Sequence, residues 1–269
     1  MLDALLAQGR DYIMISNVDN LGATLDLAIL FHVVSKSLEF AMEVTPRTRS
    51  DVQGGTLAEL GGRARLVELA QVPRAHASRF ASLKEFCWWN TNTLWVSIRA
   101  VKAAVAANRI APPVLVHERA LRHGGRALEL GTAAGAAIEA FDGAVAIAVP
   151  RERFLPVKST ADLLAIQSSL FSVVRGALVL NAARVGPPPL IKLGPEFASV
   201  KEFLRRIPSP PDLLRCEHLT ISGDVTLGEG VAIAGTVVIV AADGARIDVP
   251  PGSRLEDNVV TGALRVLAH

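Results

Sequence analysis

Residues 219–240 read LTISGDVTLGEGVAIAGTVVIV, and their spacing decides the architecture of this end of the chain. Leu219, Val225, Val231 and Val237 stand six apart, and Ile221, Leu227, Ile233 and Ile239 repeat that step two positions later. Gly223, Gly228, Gly230 and Gly235 fall between the apolar pairs. A six-residue period of paired aliphatic positions separated by glycines predicts a parallel β-helix. Each step forms one face of a three-sided coil, and stacked coils share a continuous aliphatic core. The competing arrangement for four such steps is a fragment of an ordinary β-sandwich.

Charge changes at the same place. From residue 216 onward there is no lysine, and three arginines stand against seven acids, a net −4, whereas residues 1–215 carry +6. The chain turns proline-rich just upstream, with GPPP at 186–189 and IPSPP at 207–211. Proline blocks helix continuation and stiffens connections, so a domain boundary is placed near 207–214, giving modules 1–210 and 211–269.

In the first module, strand-like and helix-like stretches alternate. YIMIS at 12–16 is a short apolar run that ends in the turn-rich SNVDNLG, and DLAILFHVVSKSLEF at 26–40 brings apolar side chains round at helical spacing behind Thr24 and Asp26. Strand-like stretches follow near 40–45 and 65–72, then a helix near 97–108 and a strand at 144–149. A further helix opens after Lys158-Ser159-Thr160. This alternation predicts an α/β domain with a mostly parallel, helix-covered sheet.

Composition narrows the function. The 269 residues are 50% apolar and 20% charged with a net charge of +2, which excludes a polybasic nucleic-acid or membrane-surface binder. An aromatic fraction of 5% also argues against stacking platforms for single strands. The most apolar runs, GAVAIAV at 143–149 and TVVIVAA at 236–242, are strand-length, well short of the ~20 residues of a membrane span. Cys87 and Cys216 lie far apart, outside any CxxC spacing, and the first fifteen residues show no secretory pattern. The simplest expectation is a cytoplasmic protein with two buried, reduced thiols. The six histidines (32, 76, 117, 123, 218 and 269) make no metal-ligand spacing, and neither a GxSxG nor a Walker-type loop is present.

Several residues remain as candidates for chemistry. Asp19 follows the carboxyl end of the first strand, where open parallel sheets bind ligands, and one carboxylate there suits a hard divalent cation completed by phosphate oxygens and water. Asn17 is placed to hydrogen-bond a sugar or phosphate. Alternatively, Asn17, Asp19, Asn20 and Gly22 simply build a turn. Lys158 precedes a helix N-cap, where backbone N–H groups and a full positive charge favour an anion, or it is a solvated surface lysine. Glu68, inside the apolar LVELAQVP, either points to solvent or accepts hydrogen bonds from a polyol. Asn90, Thr91 and Asn92 form a polar cluster between Trp88-Trp89 and Trp95, a composition typical of sugar sites, or a turn or edge. Gln53-Gly54-Gly55-Thr56 is most simply a hairpin loop, although glycine also admits a ligand to the backbone.

The stretches YIMISNVDNLGATLDL, MEVTPRTRSDVQGGTL, LVELAQVP, NTNTLWV, LGTAAGAAIEAF, VPRERFLPVKSTADLL, IKLGPEF and LTISGDVTLG, and the terminal LEDNVVTGALRVLAH, run through the chain in this order. In that order they resemble the eukaryotic-type UTP–glucose-1-phosphate uridylyltransferases (UDP-glucose pyrophosphorylases) along essentially the whole chain. The resemblance implies part of a glycosyltransferase-A-like (Rossmann-like) nucleotidyltransferase domain followed by a C-terminal left-handed parallel β-helix. It implies transfer of uridylyl from UTP to glucose 1-phosphate with Mg²⁺, giving UDP-glucose and pyrophosphate, with no covalent intermediate. By the same resemblance Asp19 holds the metal and phosphates, and Lys158 neutralises phosphate charge. Asn17 lies close to bound UDP-glucose, while Gly55, Glu68 and Asn92 meet the glucose hydroxyls.

Two departures accompany the resemblance. Thr93 stands where the family has a second asparagine. The family's N-terminal glycine-rich loop, LxGGxGTxxGxxxPK, and its uracil-reading residues are not found in these 269 residues. The expectation is that the isolated chain is catalytically silent. A non-catalytic assembly or regulatory role through the β-helix, which in the family mediates oligomerisation, and a different UDP-sugar are the competing readings.

Overall fold

The computed structural model describes residues 1–48, 51, 54–121 and 124–262. Gln53, His123 and the terminal residues 263–269 lie outside the described residues. The chain divides into two compact units, Met1–Leu155 and Pro156–His269.

In chain order the first unit contains α1 (Leu2–Ala7), β1 (Tyr12–Ile15), α2 (Leu27–Ser35), β2 (Phe40–Pro46), β3 (Gly55–Leu60), β4 (Arg63–Glu68), α3 (Ala77–Phe80), β5 (Trp88–Ser97), α4 (Ile98–Ala106), β6 (Val114–Ala120), β7 (Arg126–Thr132) and β8 (Ala144–Ala148). Its central sheet has the order β1-β5-β2-β8. β2 and β8 are parallel, but β5 runs antiparallel to both β1 and β2. The mostly parallel sheet expected from the alternation is therefore a mixed one. After β2 the chain makes the antiparallel β3–β4 hairpin and returns in the opposite sense as β5, inserted between β1 and β2. β1, β2 and β8 still share one direction, and their carboxyl ends share one edge.

Strand alternation sorts the β2 side chains onto two faces. Phe40, Met42 and Val44 join Leu66, Leu94, Val96, Ala104, Ile138 and Phe141 in one buried cluster. On the other face Ala41 packs with Trp95 and Val33 of α2. Asp26 caps α2, its Oδ1 accepting from Ala28 N and Ile29 N at 2.8 and 3.1 Å. The helix ends at Ser35, short of residue 40. β4 ends at Glu68 and a 3₁₀ turn, Leu69–Gln71, replaces the rest of the expected strand. Of the 53–56 run, residues 54–56 are not the hairpin loop: Gly55 opens β3, and the turn is made by Gly61 and Gly62, both with positive φ.

The second unit contains α5 (Thr160–Gln167), β9 (Phe171–Val174), β10 (Ala177–Leu180), β11 (Leu190–Leu193), α6 (Val200–Arg206), β12 (Asp212–Ser222), β13 (Asp224–Leu227), β14 (Ala232–Val240), β15 (Arg246–Val249) and β16 (Arg254–Thr261). β11-β12-β14-β16 form one all-parallel sheet and β13-β15 another. Leu219 pairs with Val237 and Ile221 with Ile239, so three six-residue steps return the chain to the same face one strand over. Leu219, Val225, Val231 and Val237 are all fully buried, as are the paired positions Ile221 and Ile239. Leu164, Leu170, Phe197, Phe203 and Ile207 belong to the same cluster as these strand residues. This shared core is why the compact unit starts at Pro156, well before the proline-rich stretch at 207–211.

Cys216 is buried but Cys87 is exposed, so only one of the two thiols meets the expectation of burial. Cys87 lies just before β5, its carbonyl accepting from Arg47 N at 2.8 Å while its side chain stays exposed. Among the described residues no helix is long and apolar enough to cross a membrane.

Candidate functional site

Asp19 lies in the turn that follows β1, and that turn is locked to the segment after β8. Asn20, 5% exposed, does most of the locking. Its Oδ1 accepts from Leu155 N at 2.8 Å and Gly22 N at 3.1 Å, and its Nδ2 donates to Arg153 O at 3.1 Å. Leu21 N donates to Leu155 O at 3.1 Å. A Cβ at Gly22 would lie 2.4 Å from the Glu152 carbonyl oxygen, so no other residue allows this approach.

Arg153 in turn is held by Glu43 of β2, which is fully buried. Arg153 Nε donates to Glu43 Oε2 and Nη2 to Oε1, both at 2.7 Å, while Trp95 Nε1 donates to Oε1 at 2.8 Å. Arg153 Nη2 also donates to Thr24 O at 3.0 Å. A bidentate, charge-assisted pair inside the sheet thus holds the Asn17–Thr24 turn at Asn20 and at Thr24. Within that turn Asp19 Oδ1 is buried with no hydrogen-bond partner. An orphaned carboxylate oxygen on a rigid turn is a donor that a hard cation would satisfy. Among the described residues no three His, Cys, Asp or Glu side chains cluster as a ready-made metal site. Magnesium commonly takes one or two carboxylates and fills its octahedron with phosphate and water, so one acid fits it.

β5 approaches the same edge. The last β1–β5 pair is Ile15↔Leu94; Asn17 lies two residues after Ile15, and Asn92 two residues before Leu94 on the antiparallel strand. Asn92 is neither turn nor edge: it sits in a central strand. Between the pairs Met42↔Leu94 and Val44↔Asn90 the β5 strand holds two extra residues, a bulge with Asn92 at φ 57°. Asparagine tolerates this left-handed geometry better than most residues. Thr91 and Thr93 beside it are fully buried, while Asn92 stays partly accessible. Thr93 Oγ1 is buried without a partner.

Gly55 and Glu68 face each other across the β3–β4 hairpin. A Cβ at Gly55 would lie 2.7 Å from Glu68 Oε1, so the absent side chain makes room for that carboxylate. Gln71 Oε1 accepts from Glu68 N at 2.8 Å and Leu69 N donates to Gly54 O at 3.1 Å, which closes the hairpin's base. The Trp89 ring sits against Gly54 and under the Arg47 guanidinium, 4.4 Å from ring centroid to Cζ. A cavity of about 340 Å³ is lined by Arg47, Thr48, Asp51, Leu69, Phe80 and Leu83 and includes none of the predicted site residues.

Lys158 belongs to the second unit. It is exposed and precedes the capping box of α5, in which Ser159 Oγ accepts from Asp162 N and Asp162 Oδ2 accepts from the Lys158 and Ser159 backbone N–H groups at 3.0 and 2.8 Å.

The structure therefore places Asn17 and Asp19 in the turn after β1, puts Asn92 in the β5 bulge two residues past the last β1–β5 pair, and pairs Gly55 with Glu68. Asn20 was expected as a turn former, and it is one; Glu43 and Arg153, which hold the turn with it, carry no such turn signal. A lone acid in the otherwise apolar FAMEV of β2 was the available signal for Glu43.

The comparisons agree with this frame. A family model described as UTP–glucose-1-phosphate uridylyltransferase matches residues 1–234. The chain is 48% identical over its whole length to a Saccharomyces cerevisiae protein of that name, covering 54% of it. It is 47% identical to a Musa acuminata counterpart over 97% of the chain and 56% of the relative. A Trypanosoma brucei UDP-glucose phosphorylase crystal structure superposes with a TM-score of 0.87 at 37% identity, covering 97% of this chain and 58% of that one. A Leishmania major UDP-glucose pyrophosphorylase variant, solved in complex with UDP-glucose, gives a TM-score of 0.85 at 33% identity, covering 97% of this chain and 59% of that one. The chain spans about half the length of the curated relatives it matches. On this evidence the chain belongs to the UTP–glucose-1-phosphate uridylyltransferase family.

Proposed function

We propose that these 269 residues supply the metal- and sugar-facing part of a uridylyltransferase that converts UTP and glucose 1-phosphate to UDP-glucose and pyrophosphate. In that reaction a phosphate oxygen of glucose 1-phosphate attacks the α-phosphorus of UTP. The bond to the β-phosphate breaks, and its electron pair leaves with pyrophosphate. Family membership and the orphaned Asp19 oxygen support the reading, and the second observation carries it: a rigid, dehydrated carboxylate oxygen is kept without a partner at the sheet edge. Mg²⁺, when bound there, supplies charge neutralisation for the phosphate oxygens. Asn17 would adjoin the sugar nucleotide, and Gly55, Glu68 and Asn92 would bind glucose hydroxyls. Lys158 would add a positive charge for the phosphates, as a point charge at a helix start. Catalysis on this reading is positioning plus charge neutralisation.

The glycine-rich phosphate loop of the family is not found in these residues, so the 269-residue chain by itself is expected to form no UDP-glucose above background. We further propose that the parallel stack of the second unit is a left-handed β-helix, supported by its eighteen-residue return from Leu219 to Val237, and that it offers a surface for homo-oligomerisation. A cytoplasmic setting is supported by the free state of both cysteines.

The test is titration of UDP-glucose, with and without Mg²⁺, into this chain co-expressed with the N-terminal part of a family member. Asp19→Ala and Lys158→Ala are each expected to weaken binding at least about tenfold, the scale of one lost charge-assisted contact. Unchanged affinity in both would refute the assignment.

A further inference from the structure

We infer that Asn90 is a positioning residue that sets the hydrogen-bond polarity of the sugar site: it engages the Asn92 carbonyl, so that Asn92 offers its Nδ2 donor to a sugar hydroxyl oxygen. The inference rests on the proposed reading of Asn92 as a sugar contact.

Two hydrogen bonds join the pair. Asn92 N donates to Asn90 Oδ1 at 2.8 Å, and Asn90 Nδ2 donates to Asn92 Oδ1 at 2.6 Å. The orientation of both amides follows from chemistry. A backbone N–H can only donate, so the Asn90 atom beside it has to be the oxygen. The other terminus of Asn90 is then the NH₂ group, and the Asn92 atom that receives it has to be an oxygen as well. The single amide oxygen of Asn92 is held towards Asn90, which leaves Nδ2, a donor only, as the other terminus for a ligand.

The surroundings keep Asn90 from turning over. It is 4% exposed. A Cβ at Gly135 would lie 3.5 Å from Asn90 Nδ2 and 2.9 Å from Met42 Cε, so the chain at 134–140 closes directly over the amide. The bulge is pinned independently: Thr91 Oγ1 donates to Glu43 O at 2.9 Å and accepts from Thr93 N at 3.2 Å. Flipping Asn90 would set an NH₂ group against the Asn92 N–H and leave buried donors without acceptors.

The polarity has a consequence that a merely structural asparagine would not have. A sugar position read by a donor tolerates fluorine, which accepts weakly, better than hydrogen, which does not accept. The experiment uses this chain co-expressed with the N-terminal part of a family member, and measures affinity for UDP-glucose and for its 2-, 3-, 4- and 6-deoxy and deoxyfluoro analogues. Asn92→Ala is expected to weaken UDP-glucose about fivefold and to erase the penalty for removing one particular hydroxyl. At that position the unmodified chain should bind the fluoro analogue about threefold tighter than the deoxy analogue. Asn90→Asp keeps an acceptor for Asn92 N–H but faces the Asn92 amide with a carboxylate. That draws Asn92 Nδ2 inward, turns its oxygen outward and abolishes the fluoro advantage, while UDP-glucose still binds.

Equal binding of fluoro and deoxy analogues to the unmodified chain would overturn the inference and leave the sugar-contact reading standing. So would a fluoro advantage retained in Asn90→Asp. Asn92→Ala without effect on any analogue would overturn the reading itself. The comparison in the unmodified chain needs no variant to fold.

Discussion

The Arg153 guanidinium forks onto the Glu43 carboxylate, with Nε–Oε2 and Nη2–Oε1 both at 2.7 Å, at a point where Glu43 has no exposure to solvent. Burying two charges is unfavourable unless geometry and extra hydrogen bonds compensate, and here Trp95 Nε1 and Thr24 O complete the set. Removing Arg153 leaves the Glu43 charge fully buried, and removing Glu43 leaves Arg153, among the described residues, only Asp26 Oδ2, 3.7 Å from its Nη1, as a counter-charge. Glu43→Gln is therefore expected to lower unfolding free energy by about 3 kcal/mol, read by urea denaturation of the chain. Arg153→Lys should fall almost as far, because an ammonium cannot form the fork. A loss below about 1 kcal/mol in both would show that the pair does not anchor the Asn17–Thr24 turn.

Gly55→Ala separates space from conformation. The added Cβ would meet Glu68 Oε1 at 2.7 Å and Leu66 Cδ1 at 2.8 Å, and Leu66 is only 2% exposed, so the carboxylate is the group that gives way. The expected result is a stability loss of about 1–2 kcal/mol together with weakened UDP-glucose binding in the complemented enzyme. A stability loss with unaltered affinity would remove Glu68 from the sugar site.

The parts of this molecule that the sequence exposed are those encoded by local periodicity. The six-residue step from Leu219 to Val237 needs no knowledge of partners, since every coil repeats the last, and all four positions are buried. Asp19 was legible because a carboxylate after an apolar strand is a local pattern. The reversed β5 was not, because alternation along Trp88–Ser97 says which side chains share a face and nothing about which strands lie on either side. The Asn92 bulge was hidden for the same reason: two extra residues show only against the spacing of Met42 and Val44 on the neighbouring strand. Glu43 and Arg153 are 110 residues apart and meet only through the sheet.

Cys216 gives the pH prediction. Burial pushes its thiol up to about 11 from an ordinary 9.0, only partly offset by the nearby Arg184 charge. A thiol that ionises later in the folded state than in the unfolded one binds more protons when folded between these two values. Its contribution is intact below pH 9 and is lost as pH rises towards 11, by about 3 kcal/mol at most. Stability should therefore fall between pH 9 and 11 more steeply in the native chain than in Cys216→Ala, in parallel denaturation series. Below pH 9 an alkylating reagent should label the exposed Cys87 and spare Cys216 until the chain unfolds. Equal slopes in the two chains would show that Cys216 ionises freely.

Asp19 separates binding from stability. Its Oδ1 is buried with no hydrogen-bond partner, an arrangement that disfavours the folded state because a dehydrated anionic oxygen goes uncompensated. Asparagine at this position has nearly the same shape without the charge. Asp19→Asn is therefore expected to leave the turn intact and to raise unfolding free energy by about 1 kcal/mol, the pattern of a residue kept for function at the expense of stability. The same substitution removes the anionic oxygen that a hard cation requires, so the Mg²⁺-dependent part of UDP-glucose affinity in the complemented enzyme should vanish. The two readouts move in opposite directions only if the oxygen is held for a ligand. If Asp19→Asn instead destabilised the chain and kept its Mg²⁺ dependence, Asp19 would be one more turn residue, and the cation would have to be held elsewhere.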